Sequence, residues 1–372
     1  PTAWGAAMQL VCSGCADVLE ALDMVSEIAP DFNRLYERCT ELLARAARFS
    51  GAPGPAQVRW LDTAGLQVRL VESPLDIAES MRSRVLSAAT PAAKEDDSGW
   101  PAPDEGPRRA WIFTSATLGD DDRLTWFTER AGLHDADVLR VSSPFNYAAQ
   151  AALYVPRQLP APADPSHSRS LAQWLAPAVQ QLGGRTLVLT TTLRALNDIG
   201  EVLKECLAGS PALEVLVQGE WPKRRLMERF REGSAHGQPG CVLVASATFW
   251  EGFDVPGDAL QLVVIDKLPF PPPGDPLVQA RTLHLELAGK KPFTAYALPE
   301  AAVALKQGAG RLIRHETDRG ILVVGDTRLL SKGYGKRLLA ALPPMARLDS
   351  EAEFEQALRA ITRTSTTDPP CP

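Results

Sequence analysis

The chain has 372 residues, of which 45% are apolar and 23% are charged, and its formal net charge is −6. This composition is that of a folded globular protein, and the length suffices for two or three structural units. A global positive charge that would attract nucleic acid is absent, although a local basic patch is still compatible with such a partner. No run of about 18 apolar residues occurs, so we expect no membrane-spanning segment.

Six cysteines are scattered along the chain, at positions 12, 15, 39, 206, 241 and 371. This sparse use favours a reducing cytoplasm over a disulfide framework. Cys12 and Cys15 would share one face of a helix, and we interpret them as small buried residues because no second pair of metal ligands follows. The sequence opens without methionine or a signal peptide, so we expect a cytoplasmic piece of a longer protein.

The amino-terminal part divides into a helical region and a short β region. Residues 7–49 carry leucine and alanine at helical spacing, and the breaker cluster GAPGP ends them. The segments VRWLD and LQVRLVE alternate apolar and polar residues and predict a hairpin, which a short helix, IAESMRSRVLSA, follows. Residues 90–107 are polar and proline-rich, as in a mobile connector. We predict a helical domain at 1–55 and a connecting region at 56–107.

From residue 108 onward, short apolar runs alternate with amphipathic segments. The runs are AWIFTS, TLVLTT, LEVLVQG, CVLVAS, LQLVVID and GILVVGD. They are almost continuously apolar, as expected of parallel strands that helices cover on both faces. LRALNDIGEVLKECL and KRRLMERFRE predict crossover helices. The pattern predicts an α/β fold over residues 108–363, an open parallel sheet flanked by helices, and a disordered tail at 364–372.

The segment LKQGAGRLIR, residues 305–314, combines two glycines with two arginines and a glutamine in a predicted helix. Gln307, Arg311 and Arg314 are spaced i, i+4 and i+7, so they should line one stripe of that helix. Two guanidiniums and an amide can bind phosphate oxygens and stabilise the charge that develops in phosphoryl transfer. The glycines favour this function because they let another backbone approach closely.

That stripe and a neighbouring loop also have structural interpretations. The arginines could form a solvated face that pairs with Glu316 or Asp318. Glu251 and Asp254 follow the run CVLVAS through a turn with Gly252; they could hold a ribose hydroxyl, a metal-bound water or an arginine, or be ordinary turn residues. The sequence contains neither a phosphate-binding GxxxxGK[ST] segment nor a DExx acidic pair. These residues could therefore contribute part of a nucleotide site, but the sequence has no phosphate loop or acidic pair to form the other part.

Four segments together resemble motifs III, V and VI of superfamily 2 helicases: SATL, SATFWEGFDVPG, IDKLPF and QGAGRLIR. The QxxGRxIR and WEG-D forms are those of the DinG/XPD-like iron–sulfur helicases, and SSPFNY and VVGDTR are most similar to the bacterial YoaA type. The resemblance implies the carboxyl-terminal half of an ATP-dependent 5′-to-3′ DNA helicase of repair, replication and the SOS response. It also implies a RecA-like second motor domain, preceded by a helical remnant of the arch domain.

Residue by residue, the resemblance implies four groups of functional side chains. Catalytic contacts to the γ-phosphate and attacking water are implied for Gln307, Arg311 and Arg314. Coupling to nucleotide and magnesium is implied for Glu251, Gly252, Asp254 and Gly310. Coupling of hydrolysis to strand binding is implied for Ser115, Ala116 and Thr117. DNA contacts are implied for Thr190, Thr191, Thr192, Ser246 and Thr248.

The same resemblance implies ATP and Mg²⁺ as cofactors and a [4Fe–4S] cluster upstream, so we expect no metal site in this chain. Motifs I, Ia and II are not in the sequence, and we predict that the chain alone is inactive. The expected partners are single-stranded or forked DNA and a clamp-loader subunit of DNA polymerase III, with no membrane and a monomeric state. One alternative is a non-catalytic RecA-like scaffold for protein contacts, which would not need the three-donor stripe. Another is a small-molecule enzyme, which would need a complete nucleotide site.

Overall fold

The protein divides into two compact units in the computed structural model. The model describes residues 3–26, 28–54, 56–65, 67–86, 110–119, 121–246, 255 and 259–365. One unit comprises Pro1–Ser80 and Pro273–His284, and the other comprises Met81–Pro272 and Leu285–Pro372. The predicted connector at 90–107 and the tail beyond residue 365 lie outside the described residues.

The first unit contains a helical hairpin followed by a β-hairpin. Helices α1 (Ala3–Asp23) and α2 (Pro30–Ser50) pack against each other, which confirms the predicted helical character of this region. Strands β1 (Gln57–Ala64) and β2 (Gln67–Pro74) pair antiparallel along their whole length, which confirms the predicted hairpin. By length and composition alone, α1 could also cross a membrane. This is weak evidence for a span, because signal sequences and core helices of other proteins pass the same test.

Cysteines lie where the two helices of that hairpin meet. Cys15 and Cys39 are buried, and the Cys39 thiol donates to the backbone oxygen of Cys15 at 3.4 Å. Cys12 is only partly buried. The interpretation of a buried pair at 12 and 15 therefore holds for Cys15 alone, which packs against a cysteine of the neighbouring helix instead.

The remaining elements alternate between helices and short strands. In chain order they are α3 (Ala78–Met81), α4 (Thr125–Thr128), α5 (Tyr147–Gln150), β3 (Ala151–Tyr154), α6 (His167–Leu182), β4 (Thr186–Thr190), α7 (Leu193–Leu207), β5 (Leu213–Val217), α8 (Lys223–Glu232), β6 (Gly240–Ser246), β7 (Leu262–Ile265), α9 (Pro276–Leu287), α10 (Leu298–Ala309), β8 (Gly320–Val324), α11 (Arg328–Ser331), α12 (Gly335–Ala341), β9 (Ala346–Leu348) and α13 (Glu351–Ser365). Both predicted crossover helices, α7 and α8, form over the residues expected.

The second unit is built on a seven-stranded parallel sheet with the order β5-β6-β4-β7-β8-β3-β9. Along β4, Leu187 and Leu189 join one core cluster while Val188 joins the other, and all three are fully buried. Successive strand residues point to opposite faces, so both faces of the sheet are covered. This confirms the predicted α/β fold with helices flanking a parallel sheet.

Two parts of the strand prediction need correction. The run AWIFTS at residues 110–115 is irregular rather than a strand, and Trp111 and Ile112 are 46% and 85% exposed. An apolar run forms a strand only where a neighbouring edge supplies hydrogen bonds, and in the described part of the chain none pairs with it. In contrast, β3 and β9 were not predicted because they are short and depend on pairing with β8 and with each other.

Candidate active site

Helix α10 ends just before the first of the two predicted phosphate-binding arginines. It has Pro299 in its first turn, directly after the π-helical turn Phe293–Ala297, and it stops at Ala309. Gly310 follows as the carboxyl-terminal cap and donates its N–H to the carbonyl of Lys306 at 2.9 Å. A Cβ on Gly310 would lie only 3.2 Å from that carbonyl oxygen, so glycine suits this terminal turn.

The prediction of one helical stripe through Arg314 is therefore wrong. Arg311 makes an i→i−3 backbone hydrogen bond of 3.2 Å, which is tighter than an α-helical turn. Leu312 and Ile313 then enter the core, with 2% and 1% of their surface exposed. Burial of these two adjacent apolar side chains explains why the chain leaves the helical path while both arginines stay near the surface cleft described next.

One open cleft of about 340 Å³ collects seven of the fifteen predicted site residues. It is lined by Ser115, Ala116, Thr117, Tyr147, Lys306, Gln307, Gly310, Arg311, Arg314 and Pro343. The amide Nε2 of Gln307 donates to Oγ1 of Thr117 at 3.4 Å, and the N–H of Thr117 donates to Oγ of Ser115 at 3.2 Å. Segments separated by 190 residues in the sequence are thus in direct contact at the end of α10.

The cleft is positively charged. Lys306, Arg311 and Arg314 contribute three cations, and among the described residues that line it there is no aspartate or glutamate. Such a surface attracts anions with several oxygens, for which guanidinium provides a fork of donors. Asp318, which the sequence offered as a side-chain partner for the arginines, accepts the backbone N–H groups of Arg314 and His315 at 2.7 and 2.8 Å.

Three of the four predicted DNA-contacting threonines lie outside this cleft, at the carboxyl end of β4. Thr190 is fully buried, and its hydroxyl donates to a backbone carbonyl of β6 at 3.3 Å. Thr191 donates its N–H and its hydroxyl to the carboxylate of Asp266, at 2.9 and 3.2 Å. Thr192 caps α7 by accepting the N–H of Ala195. Each hydroxyl thus has a structural partner within the protein.

The other predicted residues of these loops are only partly described. Ser246 ends β6 and donates its N–H and its hydroxyl to Oε1 of Gln218, at 2.7 and 2.9 Å. Four predicted site residues lie outside the described part of the chain: Thr248, Glu251, Gly252 and Asp254. Within the described residues, no group of three or more His, Cys, Asp or Glu side chains could hold a metal ion.

Two buried aspartates at strand ends were missed by the sequence analysis. Asp266 follows β7 and is fully buried, and this burial raises the pKa of its carboxyl to about 6, even though hydrogen bonds from Thr191 and Lys267 act in the opposite direction. Asp326 follows β8; it accepts the N–H of Leu268 at 3.0 Å and two guanidinium bonds from Arg328. The sequence pattern that could have identified these two aspartates is their position at the end of a continuously apolar run. Both aspartates organise the loops at the carboxyl edge of the sheet.

Comparisons with known proteins agree with this architecture. Residues 175–345 match the helicase C-terminal domain family. The chain is 38% identical over 312 residues to the ATP-dependent DNA helicase YoaA of Escherichia coli strain K12, which covers 84% of this chain and 45% of that relative. It is 33% identical over 338 residues to the ATP-dependent helicase DinG of Mycobacterium tuberculosis strain H37Rv, with 87% and 46% covered. A solved XPD helicase aligns with a TM-score of 0.38 and 16% identity over 54% of this chain and 36% of that one.

The parallel sheet and the matched family define a carboxyl-terminal helicase domain. The chain belongs to the family of the YoaA and DinG helicases, which confirms this part of the resemblance based on the sequence motifs. It spans about half the length of the curated relatives it matches.

Proposed function

We propose that this chain is part of an ATP-dependent DNA helicase and that its cleft faces the phosphates of a nucleotide held by another domain. Its relatives are named ATP-dependent helicases, which supports the activity class. The observation that carries the proposal is the convergence of residues 115–117 with Gln307, Arg311 and Arg314 in one cleft without carboxylates among its described residues. A nucleoside triphosphate is the anion that such a cleft in a helicase domain would bind.

The side chains of the cleft fit phosphate oxygens and not a divalent cation. Arg311 and Arg314 provide guanidinium forks that neutralise charge on transferring phosphoryl groups. Gln307 provides an amide that can orient a phosphate oxygen or a water molecule, and its contact with Thr117 connects it to the segment at residues 115–117. When bound, ATP supplies the free energy of phosphoanhydride hydrolysis. Because the described cleft offers no carboxylate oxygen, we propose that Mg²⁺ is held by residues outside it.

Several finer features are proposed from the family alone. These are movement in the 5′-to-3′ direction on single-stranded or forked DNA, a [4Fe–4S] cluster elsewhere in the full-length protein, and a role in the SOS response. A clamp-loader partner, a monomeric state and a cytoplasmic location complete this set. Strand contacts by Thr191, Thr192 and Ser246 are proposed because none of these three residues is fully buried, whereas the Thr190 hydroxyl is buried and would act only by shaping β4.

Arg314→Ala in the full-length protein tests the proposed function. Hydrolysis of ATP stimulated by single-stranded DNA should fall by about 10³-fold, the lower range for loss of a phosphate-facing arginine, while DNA affinity should be retained. Arg347→Ala is the matched control, because Arg347 is half-exposed and pairs with an exposed Asp349 at 4.0 Å. Undiminished turnover of Arg314→Ala would reject the role of the cleft and favour the scaffold alternative.

The chain expressed alone provides a second test. We expect no turnover of ATP and no unwinding from the 372-residue chain, because its sequence contains no GxxxxGK[ST] phosphate loop. A steady-state assay with saturating single-stranded DNA measures this directly. Turnover that survives Arg314→Ala in the same chain would reveal a different nucleotide site.

A further inference from the structure

Arg314 lies in a turn whose hydrogen bonds are made by residues that have no role in the proposed function. Residues 314–319 follow the buried pair after α10 and lead into β8. Within this turn, the Asp318 carboxylate accepts the N–H groups of Arg314 and His315 at 2.7 and 2.8 Å. Hydrogen bonds to an ionised acceptor are roughly twice as strong as neutral ones, so Asp318 fixes the backbone from which the Arg314 side chain extends.

The side-chain amide of Gln150, from a distant part of the chain, contacts backbone carbonyls of the same turn. Nε2 of Gln150 lies within hydrogen-bonding distance of three backbone carbonyls, those of His315, Glu316 and Asp318, at 3.0, 2.9 and 3.1 Å. Gln150 is 8% exposed and Asp318 is 7% exposed. A buried amide close to three carbonyls of one turn restricts that turn far more than a surface hydrogen bond would.

Gln150 belongs to α5, the one-turn helix that follows the sequence SSPFNY. Asn146 caps α5 by accepting the N–H of Ala149 at 3.3 Å, and Arg319 donates to the carbonyl of Ala149 at 3.0 Å. Tyr147 lies three residues before Gln150, so the two side chains share one side of this turn. Tyr147 lines the cleft together with the arginines, whereas Gln150 contacts the turn behind them.

We infer that Gln150 and Asp318 are positioning residues that set the place of the Arg314 guanidinium in the cleft. This inference rests on the proposed function, since the position of Arg314 matters only if it meets the phosphates. The two residues bind different backbone groups of the turn: Asp318 accepts its N–H groups, and Gln150 donates to its carbonyls. A displacement of about 1 Å at a reacting group can cost about 10²-fold in rate, so loosening the turn should slow hydrolysis without weakening binding.

The test uses the full-length helicase with Gln150→Leu, which removes the donor, and Asp318→Asn, which retains an acceptor oxygen of the same shape. We expect kcat for DNA-stimulated hydrolysis to fall by about 10- to 100-fold in Gln150→Leu, with KM for ATP and DNA affinity within about twofold. Asp318→Asn should retain more activity than Asp318→Ala. Gln180→Leu is the control, because Gln180 makes one exposed bond to Ser210 at 3.3 Å.

The double variant Gln150→Leu/Arg314→Ala separates positioning from a general effect on the fold. If Gln150 acts through Arg314, single-turnover hydrolysis by the double variant should equal that of Arg314→Ala, because residues that act as a unit are not additive. A further loss in the double variant, or a parallel loss of DNA affinity in Gln150→Leu, would overturn the inference. An unchanged kcat in Gln150→Leu, with Arg314→Ala inactive, would also overturn the inference. An active Arg314→Ala would reject the proposed function itself.

Discussion

Replacing Arg130 by alanine should release the segment that follows residues 115–117 from the start of α10. The Arg130 guanidinium is paired with Glu300 in the first turn of that helix. It also lies between two aromatic rings, 5.1 Å from the centre of Trp126 and 5.3 Å from the centre of Tyr296. The Arg130 and Glu300 side chains are 31% and 23% exposed, so this ion pair is partly shielded from water.

The cost of the substitution follows from these contacts. A hydrogen bond to a charged group contributes about 1.5–3 kcal/mol, and each cation–π contact contributes about 0.5–1 kcal/mol. Because the pair is partly hydrated, we expect a loss of about 2–4 kcal/mol. This loss corresponds to local opening that is about 30- to 1,000-fold more frequent. The loss should appear as local rather than global unfolding, because none of the described residues at 110–140 belongs to the two core clusters of the sheet.

Hydrogen exchange of the chain measures this opening directly. The reporters are backbone amides of the segment, which bond within it: Glu129 to Thr125, Ala131 to Phe127 and Leu133 to Thr128. Arg140→Ala is the matched control in the same segment, since Arg140 pairs with a fully exposed Asp122 and this solvent-screened pair should contribute little to stability. If the reporters exchange equally fast in Arg130→Ala and Arg140→Ala, the Arg130 contacts do not hold the segment and the reasoning fails.

Three further predictions concern buried groups near the sheet. Burial raises the pKa of Asp266 to about 6, so the folded state binds more protons than the unfolded state between about pH 4 and 6 and loses stability as pH rises through this range. Urea unfolding should show a smaller decline for Asp266→Asn, whereas parallel curves would contradict the assignment. Iodoacetamide at about pH 8 should modify exposed Cys206 long before Cys241, whose pKa burial raises to about 12, as peptide mass spectrometry would show. Gly184→Ala should destabilise by about 2–4 kcal/mol in urea unfolding, since φ is +90° and a Cβ would lie 2.5 Å from the backbone nitrogen of Cys241. Gly183→Ala, where φ is +63° and the space is open, should cost only about 1–2 kcal/mol.

Among the five sheet strands that the sequence predicted, β4, β7 and β8 are buried at every residue and β6 at every residue but Ser246, whereas β5 is only partly buried. Runs such as TLVLTT and CVLVAS are apolar on both faces, and this pattern is decided locally by residues that all lie in the interior. Strands β3 and β9 are four and three residues long, and they exist only because β8 offers an edge to β3 and β3 offers one to β9. The run at residues 110–115 shows the converse, since it has a strand-like composition but no partner within the described chain.

The sequence predicted which residues line the cleft better than it predicted the backbone contacts that hold them in place. Motif spacing identified residues 115–117, Gln307, Arg311 and Arg314, all of which line one cleft. It gave no sign of Gln150, because a buried amide that contacts a turn 165 or more residues away is set by tertiary structure alone. The threonines at the end of β4 illustrate the same limit, since the sequence did not reveal Asp266 as the partner of Thr191.

The end of α10 explains why glycines accompany the arginines. Glycine costs a helix interior about 1 kcal/mol, whereas burial of Leu312 and Ile313 contributes about 1.5–3 kcal/mol each. In a continued helix, the N–H of Arg314 would bond to the carbonyl of Gly310 and would not be available to Asp318. Ending the helix at Gly310 therefore buries two apolar side chains and exposes the backbone that Asp318 binds. Gly310 caps the helix, and this end of the helix allows Arg314 to be positioned by residues outside it.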